Sequence, residues 1–115
     1  MSFKSARAPL LDMLDNIAKA RAFVKDIDFA DFQENALYVY AVTRALEIIS
    51  EASRRLPDDL KDRHPSIPWK EIAGSGNIYR HDYEDVLERI VWHTVHHALG
   101  PLEAAVLQEL DGLKE

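Results

Sequence analysis

The chain has 115 residues, of which 47% are hydrophobic and 30% charged, enough for one globular domain and too few for two separate cores. It contains no cysteine, which excludes disulfides, thiolate metal sites and a cysteine nucleophile. Fourteen basic against twenty acidic side chains leave a net charge of −6, which argues against generic coating of nucleic acid. The charge is uneven. Residues 1–25 carry five basic and two acidic groups, whereas residues 82–115 carry two basic and eight acidic ones. No apolar run approaches the length of a membrane span, and the N-terminus has no signal-peptide core, so a cytoplasmic location is expected.

Apolar residues recur at three- and four-residue steps through Leu10, Leu14, Ile17 and Val24, which predicts an amphipathic helix over about 7–26 with Pro9 in its first turn. Residues 28–32 read as a connector whose Phe29 and Phe32 fold back onto the core. A second long helix is expected from about 35 to 56, with Leu37, Ala41, Ala45, Ile48, Ala52 and Leu56 as one stripe and Val42, Leu46 and Ile49 beside it. Glu51 and Arg55 have i,i+4 spacing for an ion pair. Pro57 ends this helix, and Asp58-Asp59-Leu60 starts a single turn before Pro65. Ser66 is placed to cap the next helix, which Pro68 and Trp69 enter.

Gly74-Ser-Gly76 is read as a helix break with a positive-φ residue, because it lacks the features of a phosphate loop. A third long region then runs from Asn77 to Leu99, and Gly100-Pro101 divides it from a last helix over about 101–112. Trp69, Ile72, Ile90, Val91 and Trp92 are assigned to core or interface. With no alternating stretch long enough for a strand, the expectation is an all-α, up-and-down four-helix bundle with short extra helices, forming a single domain over residues 1–115.

Three polar groups stand out. His93 and His97 have the spacing to share a divalent ion, but there is no HExxH, and histidines near a helix C-terminus are favoured by the helix dipole anyway. No metal or cofactor is called for. Arg44, Glu47 and Glu51 lie on neighbouring turns of an otherwise apolar helix, either as an exposed stripe or as the floor of a polar cleft. The third group is Asn77-Ile-Tyr-Arg-His81-Asp-Tyr83. Asn77 and His81 share a helix face, and His81 is the side chain best suited to moving protons near neutral pH.

The blocks Ala41–Leu56, His64-Pro-Ser-Ile-Pro-Trp-Lys-Glu-Ile-Ala-Gly74, Asn77 through Tyr83, and Ile90–Val95 together resemble the HepT-like family, a branch of the HEPN superfamily. The resemblance covers nearly the whole chain in order. It implies a helical homodimer, a toxin working beside a small nucleotidyltransferase antitoxin, and metal-independent cleavage of RNA. It also implies a signature of Arg, usually followed by Asn, then His five positions after the Arg and Tyr two beyond that, the Tyr being adenylylated by the antitoxin. Asn77, His81 and Tyr83 match this signature, and Arg44, Glu47 and Glu51 match the polar positions of the facing helix. The signature Arg is replaced by Gly76, and Ala45 stands where Asn is common. Arg80, one helical turn beyond Gly76, is the candidate for a relocated arginine. The alternative is a catalytically inactive HEPN module that binds nucleotide, RNA or the partner enzyme.

Overall fold

The computed structural model describes residues 4–81 and 84–113, with side-chain detail for residues 6–79 and 87–113. Seven helices follow one another among the described residues, with no strand: α1 Lys4–Phe23, α2 Phe29–Glu34, α3 Ala36–Arg54, α4 Asp58–Asp62, α5 Trp69–His81, α6 Glu84–His97 and α7 Leu99–Gly112. The all-α bundle expected from the periodicity is what forms. The central element is α3, which packs against α1, α2, α5 and α6. Its core side carries Val39, Val42, Ala45, Leu46, Ile49 and Ala52, all at most 5% exposed.

Local chemistry explains the starts and stops. The Asp28 carboxylate accepts the Asp31 N–H at 2.9 Å and begins α2. The Asn35 side chain accepts the Leu37 N–H at 3.0 Å and begins α3. After α1 the chain reverses through Asp26 at φ 63°, a left-handed conformation that Asp tolerates better than most residues. Trp69 donates its indole N–H to the carbonyls of Lys61 and His64, both at 3.1 Å, so the segment between α4 and α5 is folded around that ring. Phe32 is fully buried, and its ring and that of Phe29 lie 5.2 Å and 5.8 Å from Trp92.

Several expectations need correction. The helix of α1 begins earlier than residue 7 and ends at Phe23, so Pro9 lies inside it rather than in its first turn. Residues 29–34 form a helix, because Asp28 supplies a cap that the connector reading overlooked. Leu37 is 76% exposed and Ala41 and Ile48 only partly covered, whereas Ala45, Ala52 and Leu56 of the expected stripe are buried together with Val39, Val42, Leu46 and Ile49 beside it. Both stripes are apolar, and only contact with α1 and α5 decides which positions are covered. Arg55 pairs with Asp12 of α1 at 3.1 Å rather than with Glu51.

Gly74 and Gly76 do not break α5, which runs through both, and no described glycine has positive φ. A glycine inside a helix costs only about 1 kcal/mol, which packing can offset. The last boundary falls at Ala98, so Gly100 and Pro101 belong to the first turn of α7, where a missing N–H is harmless.

The short α4 region is tied to α7 by charge. Arg63 grips Glu109 with two nitrogens, at 3.0 Å and 2.6 Å, and His64 Nε2 lies 2.7 Å from the same carboxylate. The hydrogen bonds from Arg63, reinforced by His64, hold the Glu109 carboxyl below its ordinary value of 4.5. A depressed carboxylate contributes stability above its unfolded value and loses it as pH falls through the folded one. Glu109→Gln should therefore lower Tm at pH 7, and the gap from wild type should shrink as acidity passes below about pH 4.5. Thermal melts of both proteins from pH 7 to pH 3 check this.

Elsewhere in the core, Glu88 of α6 is 4% exposed, and its Oε1 has no hydrogen-bond partner among the described residues. A buried polar oxygen without a partner is destabilising. Glu88→Met should raise stability by about 1–3 kcal/mol, measured by urea unfolding at pH 7.

Candidate functional site

The polar residues of α3 face a cleft along α5. The two helices run antiparallel, since Arg54 meets Ala73 and, one turn earlier on α3, Ser50 meets Gly76. The helices come close because the side chains between them are small. Ser50 is 3% exposed; its hydroxyl donates to the Ala73 carbonyl at 3.1 Å and accepts the Gly76 N–H at 3.2 Å. The Arg54 Nε–H donates to that same Ala73 carbonyl at 3.1 Å. Gly76 is buried at this crossing and presents only backbone.

Two adjoining hollows open beside the crossing. One, about 370 Å³, is lined by Arg44, Glu47, Ile48 and Glu51. A smaller one is lined by Glu47, Ser50, Glu51, Arg54, Ala73 and Gly76. Glu47 and Glu51 belong to both, so the hollows lie side by side. Arg44 and Glu51 are exposed and Glu47 is partly buried; Glu47 and Glu51 reach the hollow against α5, while Arg44, which contacts Glu47 at 3.7 Å, lines only the outer hollow. Isolated surface pairs of this kind contribute little to stability, so their value here is positional.

Asn77 follows Gly76 directly on α5 and is exposed. Arg80 is one turn beyond Gly76, and His81, the last residue of α5, is one turn beyond Asn77. Carrying the antiparallel register one turn further brings this end of α5 level with Arg44 and Glu47. Arg80 and His81 lie outside the residues whose side chains are described, and Tyr83 lies outside the described residues altogether.

Sequence reasoning overlooked three members of the cleft. Ser50 and Arg54 are spaced three residues from Glu47 and Glu51 respectively, a signal that was present but unused. Ala73 contributes only its carbonyl, which no side-chain pattern could reveal. Tyr79 is buried in the bundle, beside Ile49, Ile72 and Leu102, rather than in the cleft.

The histidines of α6 form a separate group. His93 and His97 stack with ring centroids 4.4 Å apart, and His96 stacks on Trp92 at 4.2 Å. Among the described residues no group of three or more His, Asp or Glu side chains is arranged to hold a metal ion. A wide hollow of about 640 Å³, lined in part by Arg21, Lys25, His96 and His97, shares no residue with the α3–α5 cleft. No described helix is long and apolar enough to cross a membrane.

Comparison with known proteins supplies the context. The family model described as "Ribonuclease HepT-like" matches residues 13–109. A protein of Methanocaldococcus jannaschii named "Putative RNase MJ1380" is 41% identical over 95 residues, covering 83% of this chain and 87% of that protein. A second from the same organism, "Putative RNase MJ0125", is 32% identical across 100% of this chain and 99% of its own length. A Thermococcus cleftensis protein named "Probable ribonuclease HepT" is 41% identical over 96 residues, covering 80% of this chain and 87% of that protein. No solved structure matches. With a family match across residues 13–109 and relatives of this identity and coverage, the chain belongs to the ribonuclease HepT-like family.

Proposed function

We propose that this protein is a HepT-like toxin: a metal-independent endoribonuclease that works as a homodimer and is held in check by a small nucleotidyltransferase antitoxin. The observation that carries the reading is the crossing where Glu47, Ser50 and Glu51 of α3 meet Ala73 and Gly76 of α5, the helix that continues through Asn77 to His81, in a chain of this family. Residues 1–115 act as one domain, in the cytoplasm.

The chemistry follows from RNA itself. The ribose 2′-oxygen attacks the adjacent phosphorus and the 5′-oxygen departs, so the nucleophile is internal to the substrate. His81 moves a proton on this path, from the 2′-hydroxyl or to the leaving 5′-oxygen, since imidazole exchanges protons readily near neutral pH. Asn77, one turn earlier on α5, orients the imidazole or the phosphate. Arg80, four residues after Gly76, supplies positive charge near the same turn. Tyr83 is the residue the antitoxin modifies. A dimer is supported by the outer face of α3, where Leu37 and Tyr40, 76% and 71% exposed, continue the line of Arg44 and Glu47 and offer apolar area to a second copy.

A second reading has its own support. Gly76 stands where the family signature carries Arg, and the chain is acidic overall. A non-catalytic module that binds RNA or the partner enzyme is consistent with both facts. Growth after expression without the neighbouring antitoxin gene separates the two: arrest supports the toxin, and unimpaired growth in several hosts supports the binding module.

The direct test is cleavage of a defined RNA in the presence of chelator. Wild type should cut it, and His81→Ala should lower the rate by about 10²–10⁴-fold, the usual contribution of a positioned acid or base. Equal rates for the two proteins would remove His81 from the mechanism.

A further inference from the structure

The two helices cross at the turn of α5 that bends most readily. Residues 72–77 include Gly74-Ser75-Gly76, and glycine–serine pairs and side chains inserted into the hydrogen-bond ladder are two ordinary causes of helix bending. Both occur here. In a regular helix the Ala73 carbonyl serves the Asn77 N–H, and the Gly76 N–H serves the Ile72 carbonyl. The Ser50 hydroxyl reaches from α3 to one group of each pair, donating to the Ala73 carbonyl at 3.1 Å and accepting the Gly76 N–H at 3.2 Å. The Ile72 carbonyl also accepts the Ser75 hydroxyl at 2.7 Å. Ser50 is 3% exposed, and the hollow beside it, about 20 Å³, has room for a single water and for no larger ligand. Its hydroxyl therefore works on the protein itself. From Gly76 the helix continues through Asn77 to His81, so what fixes this turn also aims residues 77–81.

We propose that Ser50 is a positioning residue for RNA cleavage: its hydroxyl pins the bendable turn of α5 to α3 and sets how the segment ending at His81 lies against Glu47 and Glu51. The proposal rests on the ribonuclease reading for the reaction it serves. Ser50 touches no substrate and moves no proton; it acts through the backbone of Ala73 and Gly76. Glu47 and Glu51 lie within one turn of Ser50 on α3, so this one contact places both relative to α5. Reaction geometry is sensitive to such placement, since a displacement of about 1 Å can cost about 10²-fold in rate.

Ser53 supplies the comparison. It is buried too, one turn further along α3, but its hydroxyl donates to the Ser50 carbonyl at 2.7 Å and stays within its own helix. The two serines share chemistry and burial and differ in whether the bond crosses to α5.

The experiment compares wild type, Ser50→Ala, Ser50→Cys and Ser53→Ala in the full chain. Backbone amide shifts of the labelled proteins are recorded without RNA, and steady-state cleavage of a short RNA is measured in chelator. Ser50→Ala should move the amide resonances of residues 73–81 and lower kcat by about 10–10²-fold, with KM within about three-fold of wild type. Ser50→Cys should fall between, because a thiol is a weak donor and a weak acceptor. Ser53→Ala should leave the amides of residues 73–81 in place and kcat within about two-fold of wild type, even where Tm falls.

Unmoved amides over residues 73–81 in Ser50→Ala overturn the pin. Moved amides with wild-type kcat overturn its part in the reaction, and so do equal losses of kcat in Ser50→Ala and Ser53→Ala, which mark a general packing effect. The ribonuclease reading survives all three results as long as wild type cuts. A wild type that cuts no RNA removes that reading, and the role of Ser50 in the reaction falls with it. Far-ultraviolet circular dichroism checks folding; if Ser50→Ala does not fold, Ser50→Cys against wild type decides by the same criteria.

Discussion

The close crossing of α3 and α5 is the constraint on which the rest of the site depends. A serine hydroxyl can bridge two helices only where their backbones approach, and Ser50 does so by serving the Ala73 carbonyl and the Gly76 N–H at once. The same crossing fixes the register, and the register brings the charged outer turns of α3 level with the end of α5. It also gives Arg54 a carbonyl to rest on. Packing chemistry and site chemistry are thus products of one contact.

The charge distribution makes sense from this contact outward. A protein with net charge −6 is unsuited to holding nucleic acid over its whole surface. Most described arginines on this part of the molecule are committed to carboxylates, as Arg55 is to Asp12 and Arg63 to Glu109. These pairs join α3 to α1 and the α4 segment to α7, and so hold the frame in which the cleft lies.

Much of this was readable in the chain. Helical periodicity located α1, α3 and α7, whereas the region read as one stretch from Asn77 to Leu99 is divided between the end of α5 and α6. The block from His64 to Gly74 carried the family resemblance, and the family match confirms it. The misreadings share a physical cause. Glycine was taken as punctuation at 74–76, but inside a helix it costs only about 1 kcal/mol and α5 continues through both positions. Leu37 and Ile48 look as apolar as Val42 and Ile49, and only the neighbours of α3 decide which positions are covered. Arg54 was passed over because its partner is a backbone carbonyl, which leaves no trace in side-chain spacing.

The central claim is that RNA engages the α3–α5 crossing. Backbone amide shifts of the isotopically labelled protein, followed by NMR during titration with a 2′-O-methyl RNA, test it most directly. Perturbations concentrated on residues 44–54 and 73–81 are the expected result. Perturbations confined to the separate hollow around Arg21, Lys25, His96 and His97 would contradict it.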